Sequence, residues 1–297
     1  MAIASASLAY RRSALMTATK VTTKPPSEAV LRARDDFKDF CVYMGKAPAK
    51  HMMEWHKELC TGEDSECLLG IGGPNTSILA PRGSAKSTVL GLFAAWMIGR
   101  HTAAGQMLRI LYIAYMVDIS RAKSATIKGI LNSPKYREIF PMVRLSKIKR
   151  SDEYWSIDYE FAGIDTAGEE AFTIACGGLK GAITSKRSQL VLIDDPIKSA
   201  SSINNPDIRR EMEQTWSNVI APTMFQGARA ICLGTRFHFD DIHATLFIPK
   251  NNWRQIIQKA LITDKDGRHR SYWPEFWSMK YLNERKQEDR VAFAYQY

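Results

Sequence analysis

Eight consecutive residues carry the strongest chemical signal in this chain: Pro81, Arg82, Gly83, Ser84, Ala85, Lys86, Ser87 and Thr88. A short β-rich run leads into this small-residue loop, and a helical pattern leaves it. A loop of that build turns its backbone N–H groups and a helix N-terminus toward phosphate. Lys86 is then placed to reach β and γ oxygens of ATP, and the Ser87 hydroxyl to ligate Mg²⁺. The strict glycine pattern of such loops is broken, because Ala80 and Ala85 stand at both glycine positions. A methyl group at Ala85 crowds the approach of backbone to phosphate unless its φ is negative.

Two further segments end on reactive groups. Gln189-Leu190-Val191-Leu192-Ile193-Asp194-Asp195-Pro196 reads as a buried strand that delivers two carboxylates to its C-terminal end. Asp194 is placed to hold Mg²⁺, directly or through water. Asp195 is placed to orient or activate an attacking water. A strand-ending turn is the bland reading of Asp-Asp-Pro, and the upstream Lys-Ser-Thr loop argues against it. Ala228 to Gly234 is a second buried strand, ending on Gly234-Thr235-Arg236. A small hydroxyl residue there can sense a γ-phosphate and pass the change onward.

These groups need elements to hold them. Helical patterning runs from about Ala29 to Cys60. Strands are expected at residues 68–71, Thr76 to Ala80, Leu108 to Tyr115, Ala171 to Cys176, Leu190 to Ile193 and Ala228 to Gly234, with a strand pair or hairpin arm at Tyr154 to Phe161. Helices are expected from Ser87 to Met97, Ile119 to Leu131, Pro206 to Trp216 and near Trp277 to Arg290. Apolar strands alternating with helices specify an α/β fold, a mainly parallel sheet flanked by helices on both faces.

The chain has 297 residues, enough for one large α/β core or two modest domains. A net charge of +10 points to a polyanionic partner. No apolar run is long enough to cross a membrane. Five cysteines without paired spacing read as free thiols of a reducing compartment, with no disulfides and no zinc knuckle. Residues 1–27 contain no acid and read as a flexible basic arm, although a transit peptide shares that composition. The run from Arg109 to Arg150 holds only two acids, Asp118 and Glu138. It reads either as a solvated helix face or as a contact for DNA phosphates, with Lys147, Lys149 and Arg150 as candidates. His238 and His243 are five residues apart, a spacing that does not share a helical face. A turn and a helix start are expected there rather than a metal site.

Taken together, the segments resemble the ATPase domain of the large terminase subunit, the DNA-packaging motor of tailed bacteriophages. The resemblance rests on Pro81 to Ser87, on Gly177-Gly178-Leu179-Lys180-Gly181-Ala182-Ile183-Thr184 running into Leu192 to Pro196, and on Gly234 to Ile242. The ending Ala292-Phe293-Ala294-Tyr295-Gln296-Tyr297 looks like the junction before that family's nuclease domain. The resemblance spans roughly residues 30–297. It implies a P-loop NTPase of the RecA-like (ASCE) class with a small helical lid. The implied units are an ATPase core at 28–262 and a lid or linker at 263–297, leading toward a nuclease domain that this chain lacks.

The resemblance also implies roles. Arg82, four residues before Lys86, becomes a cis-acting arginine that stabilises charge on the transferring phosphoryl group. Asp195 stands where many members have Glu, and acts as base or as water-positioner. Gly234 and Thr235 match the motif that couples hydrolysis to subdomain movement. The segment upstream of the loop should meet adenine, with His51, Trp55 and His56 as candidates. Implied partners are double-stranded DNA, the portal of a procapsid, the small terminase subunit and further copies of the chain in a ring with a trans-acting arginine, all in the cytoplasm of an infected bacterial host. The alternative is a helicase-type or other DNA-stimulated P-loop ATPase, though a helicase needs a second RecA-like domain for which the chain is too short. A nucleotide-binding module without turnover is a third reading.

Overall fold

A computed structural model describes residues 25–60, 73–180, 186–246 and 253–297. Nearly all of the N-terminal arm, the strand read at 68–71, Cys67 and Gly181 to Thr184 lie outside the described residues.

The chain opens with three short helices, α1 (Glu28–Asp35), α2 (Phe37–Tyr43) and α3 (Met52–Leu59). Ser27 and Asp36 cap the first two by accepting from Val30 N and Asp39 N. In order there follow β1 (Asn75–Leu79), α4 (Lys86–Ala103), β2 (Ile110–Ala114), α5 (Val117–Asn132) and α6 (Pro134–Ile139). Next come β3 (Leu145–Arg150), β4 (Tyr154–Ile157), β5 (Ile174–Gly178), β6 (Ser188–Asp194), α7 (Pro206–Thr215) and β7 (Met224–Gly234). The chain ends with α8 (Ile242–Leu246), β8 (Trp253–Ile257), the hairpin β9 (Leu261–Thr263) and β10 (His269–Ser271), then α9 (Met279–Glu288) and α10 (Arg290–Gln296).

Eight strands form one sheet in the order β3-β4-β5-β2-β6-β7-β1-β8. From β5 to β8 every neighbouring pair is parallel, and β3 and β4 add an antiparallel edge. Period-two patterning divides the central strands between two cores. Ile110, Tyr112, Leu190, Leu192, Ile231 and Leu233 face a core shared with α1 to α5. Leu111, Ile113, Val191, Ile193, Ala230 and Cys232 face a second core with Met212 of α7 and Trp216. Helix α4 is buried on nearly every side, as its continuous apolar run from Val89 to Gly99 requires.

Several elements differ from the sequence reading. The basic run divides into β2, α5, α6 and β3, so Lys147, Lys149 and Arg150 lie on an edge strand and not on a helix. Arg109, at its start, is buried and paired with Glu169. Strands β3 and β8 belong to the main sheet, and neither stands out in the sequence, since their residues alternate with charged or polar ones. His238 lies just before a turn at Phe239 and Asp240, and Asp241 begins α8 by accepting from His243 N at 3.0 Å. Among the described residues no group of three His, Cys, Asp or Glu could hold a metal ion, and no helix is long and apolar enough to cross a membrane.

The last segment forms a small layer of its own. Ala260, Tyr272, Leu282 and Phe293 make a third core, with Trp277, Tyr281 and Tyr297 packed against it.

Candidate active site

Sheet register brings the reactive segments together. Leu79 of β1 lies beside Gly234 of β7, Leu233 of β7 beside Asp194 of β6, and Asp194 beside Ala114 of β2. The loops that follow β1, β6 and β7 therefore leave one sheet edge side by side, the C-terminal edge at which parallel sheets bind ligands.

The first loop runs from Ala80 to Ala85 and opens α4. Gly83 has φ +81, and Ala85, the N-cap of α4, has φ +58. The sequence argument asked for a negative φ at Ala85; the backbone is left-handed there, a conformation that costs a Cβ-bearing residue about 1 kcal/mol. Lys86 is 4% exposed. Its Nζ donates to Ala80 O (3.2 Å), Pro81 O (3.0 Å) and Thr235 Oγ1 (2.9 Å), and lies 3.8 Å from Asp195 Oδ1. Burial lowers the Lys86 pKa, and the charges of Asp195 and Asp194 oppose that. Arg82 is exposed at the mouth of the site.

Asp194 is 1% exposed. It accepts from Ser87 Oγ (2.8 Å) on one oxygen and from the Tyr112 hydroxyl (3.0 Å) on the other. Burial raises its pKa and the Asp195 charge adds to that, while Ser87, Lys123 and Tyr112 pull it down. A carboxylate buried under such conditions suits a cation, and Ser87 Oγ beside it is a second hard oxygen donor. Asp195 is held at φ +44, with its N–H bonded to Leu233 O and its carboxylate partly in solvent. Backbone strain of this kind gathers at functional sites.

A cavity of about 190 Å³ lies among these groups, lined by Arg82, Ser87, Asp194, Asp195 and Thr235, with Lys123 closing one side. A second hollow of about 350 Å³ adjoins it, sharing Ser87 and Lys123 and reaching Thr88, Met44 and Lys46. Pro81, Ser84 and Gly234 support the site from behind. Ser84 Oγ donates to Pro81 O at 2.6 Å, and a Cβ at Gly234 would collide with the buried His243 ring.

The upstream aromatic candidates are elsewhere. Met52, Trp55, His56 and Leu59 recur at helical spacing, so one face of α3 buries all four. Trp55 is fully buried, and the His56 ring stacks on Phe37 at 4.4 Å. Neither presents a face to a base. His51 packs against Trp55, Tyr272 and Trp273. Burial pushes the pKa of His51 and of His56 down to about 4.

Sequence reasoning missed Tyr112, Lys123 and the last segment. Tyr112 was visible as one of two hydroxyls in an apolar strand, with Tyr115, and Lys123 as a cation in the helix after β2. The contacts of the last segment have no local signal. The Tyr272 hydroxyl pairs with Ser84 Oγ at 2.8 Å, and Arg82 N donates to Gln296 O at 3.1 Å. The Trp277 ring lies so near Gly83 that a Cβ there would meet it at 2.6 Å.

No protein-family model matches this chain, and no curated protein matches it in sequence. Its structure is similar to that of the large terminase ATPase domain of Thermus phage P74-26, with a TM-score of 0.52 and 14% identity over 92% of this chain and 97% of that one. The large terminases of another thermophilic bacteriophage, in complex with ATP-γ-S, and of bacteriophage HK97 align at TM-scores of 0.43 and 0.45, with 10% and 12% identity over 91% and 80% of this chain. The chain spans about half the length of those two proteins, 51% and 45%. The first of these likenesses shows the fold alone, a mainly parallel sheet flanked by helices as in that domain.

Proposed function

We propose that this chain is a Mg²⁺-dependent ATP hydrolase, the motor domain that drives double-stranded DNA into a viral procapsid. The observation that carries the reading is the Lys86, Ser87 and Asp194 constellation: a buried ammonium beside a hydroxyl and a carboxylate 2.8 Å apart, at the N-terminus of α4. The similarity in fold to the P74-26 terminase ATPase domain supports it.

In this reading the loop N–H groups from Gly83 to Thr88 receive the phosphates and Lys86 turns to the β and γ oxygens. Ser87 and Asp194 would hold Mg²⁺, which neutralises charge on those oxygens when bound. Arg82 stabilises charge that grows on the γ-phosphoryl group. Asp195 orients or deprotonates a water that attacks the γ phosphorus as the bond to the bridging oxygen breaks. The γ-phosphate competes with Thr235 for Lys86 Nζ, so occupancy is felt at the end of β7. The base enters the hollow of Met44, Lys46 and Thr88, in place of Trp55 and His56. Several copies act around the DNA with the portal and the small terminase subunit as partners.

The test is steady-state ATP hydrolysis with and without duplex DNA, for the wild type, Lys86→Ala and Asp194→Ala. Each substitution should lower turnover about a hundredfold or more. Turnover equal to the wild type would overturn the assignment.

A further inference from the structure

At the opposite end of the sheet from β8, a cleft of about 860 Å³ lies between α5, α6 and the β3–β4 hairpin. Six cationic side chains line it: Lys128, Arg137, Arg144, Lys147, Lys149 and Arg150. Among the described residues no carboxylate lines it. We propose that this cleft binds the phosphate backbone of duplex DNA, a role that deepens the function proposed above by giving its polyanion a surface.

The cations are fixed in place mainly by neutral groups. Arg144 lies over the Phe161 ring at 3.8 Å, Arg150 Nε donates to Ser146 O at 3.0 Å, and Lys149 Nζ donates to Ala171 O at 2.7 Å. Arg137 donates to Asn132 Oδ1 at 3.0 Å. Lys128 pairs with a carboxylate, that of Asp152, and it also donates to Arg150 O and Ser151 O, which ties the β3–β4 turn to α5. The result is a preformed wall whose positive charge is largely uncompensated, and ordering it for a ligand costs little further side-chain entropy.

Cations on an edge strand can also serve to block strand pairing. That role would need charges on β3 alone. Here Lys128 comes from α5, Arg137 from α6 and Arg144 from the connecting loop, and all face the same hollow. A six-residue strand extends roughly 20 Å, along which one DNA strand presents about six phosphates. The lining of the cleft is side chain rather than glycine loop, so recognition there is of charge spacing and independent of base sequence.

The experiment is fluorescence anisotropy of a labelled mixed-sequence duplex titrated with the full chain over a salt series. The variants are Arg144→Ala/Lys147→Ala/Arg150→Ala and a control of equal charge loss on the last segment, Lys265→Ala/Arg268→Ala/Lys280→Ala. The cleft variant should bind at least tenfold more weakly at low salt. Its slope of log K against log salt should be shallower by about 2–3, at roughly 0.9 per lost phosphate contact. Its melting temperature and DNA-free ATP hydrolysis should match the wild type, and the control should keep wild-type binding. Equal binding by the cleft variant, or equal loss in the control, overturns the proposal. So does a cleft variant that keeps DNA affinity but changes self-association in sedimentation, which would assign the cleft to an acidic protein surface. If the wild type binds no duplex, the cleft proposal and the DNA part of the function fall together. If it binds duplex through the cleft yet hydrolyses no ATP, only the ATPase reading falls.

Discussion

Ala85 sits at φ +58 at the end of the loop that opens α4, where glycine is unstrained and alanine is not. Ala85→Gly should therefore stabilise the chain by up to about 1 kcal/mol, less the entropy that glycine adds to the unfolded state. A thermal scan should show the midpoint rising by about 2–4 °C at most. A fall would mean that the left-handed turn is not strained. Lys123 offers a second test at this scale. It lines the smaller cavity with Arg82, Lys198 and Asp194. Under the proposed function, Lys123→Ala should weaken binding of an ATP analogue several-fold more than binding of ADP, because the lost charge faces the terminal phosphate. Titration with fluorescent analogues of both nucleotides reads the ratio directly.

Among the elements, the last segment and the loop between β1 and α4 pack as one unit. Tyr272→Phe removes the hydroxyl that meets Ser84 and leaves Ser84 its bond to Pro81 O. The loss should cost about 1 kcal/mol, so amides of α9 and α10 should exchange about fivefold faster. Unchanged exchange would show that the contact holds nothing. This is also where the sequence was least informative. The strands β2, β6 and β7 are legible because burial on both faces makes them continuous apolar runs, and the residues that end them, Asp194 and Gly234-Thr235, follow from that. The edge strand β3 reads Leu-Ser-Lys-Ile-Lys-Arg and resembles any solvated stretch until β4 is seen beside it. Trp55 and His56 looked available because helical spacing tells which side chains share a face and not what covers it. The sign of φ at Ala85 is set by the loop's closure onto α4, and no residue type announces it.

For the molecule as a whole, three histidines tie stability to pH. His51, His56 and His243 have pKa values pushed down to about 4, with burial the main cause; Asp36 partly offsets it at His56 and Asp241 at His243. Unfolded, each titrates near 6.5. Above that value they are neutral in both states. Between about 6.5 and 4 the unfolded chain binds protons that the folded one refuses, so stability falls as pH falls through this window. Urea midpoints should decline from pH 7 to 4.5, and His56→Leu should flatten the decline. An unchanged slope in that variant would show that His56 does not take part.

The sheet order carries a consequence for synthesis. Strand β1 lies between β7 and β8, both of which are made long after it. A ribosome adding about 5–20 residues per second would leave β1 without either neighbour for roughly 7–30 s. During that time a strand that the finished sheet buries has two open edges, each a template for another nascent chain. Chains released between β6 and β7 should collect in aggregates, and the candidate site, which has Thr235 beside Lys86, should be among the last features of the molecule to form.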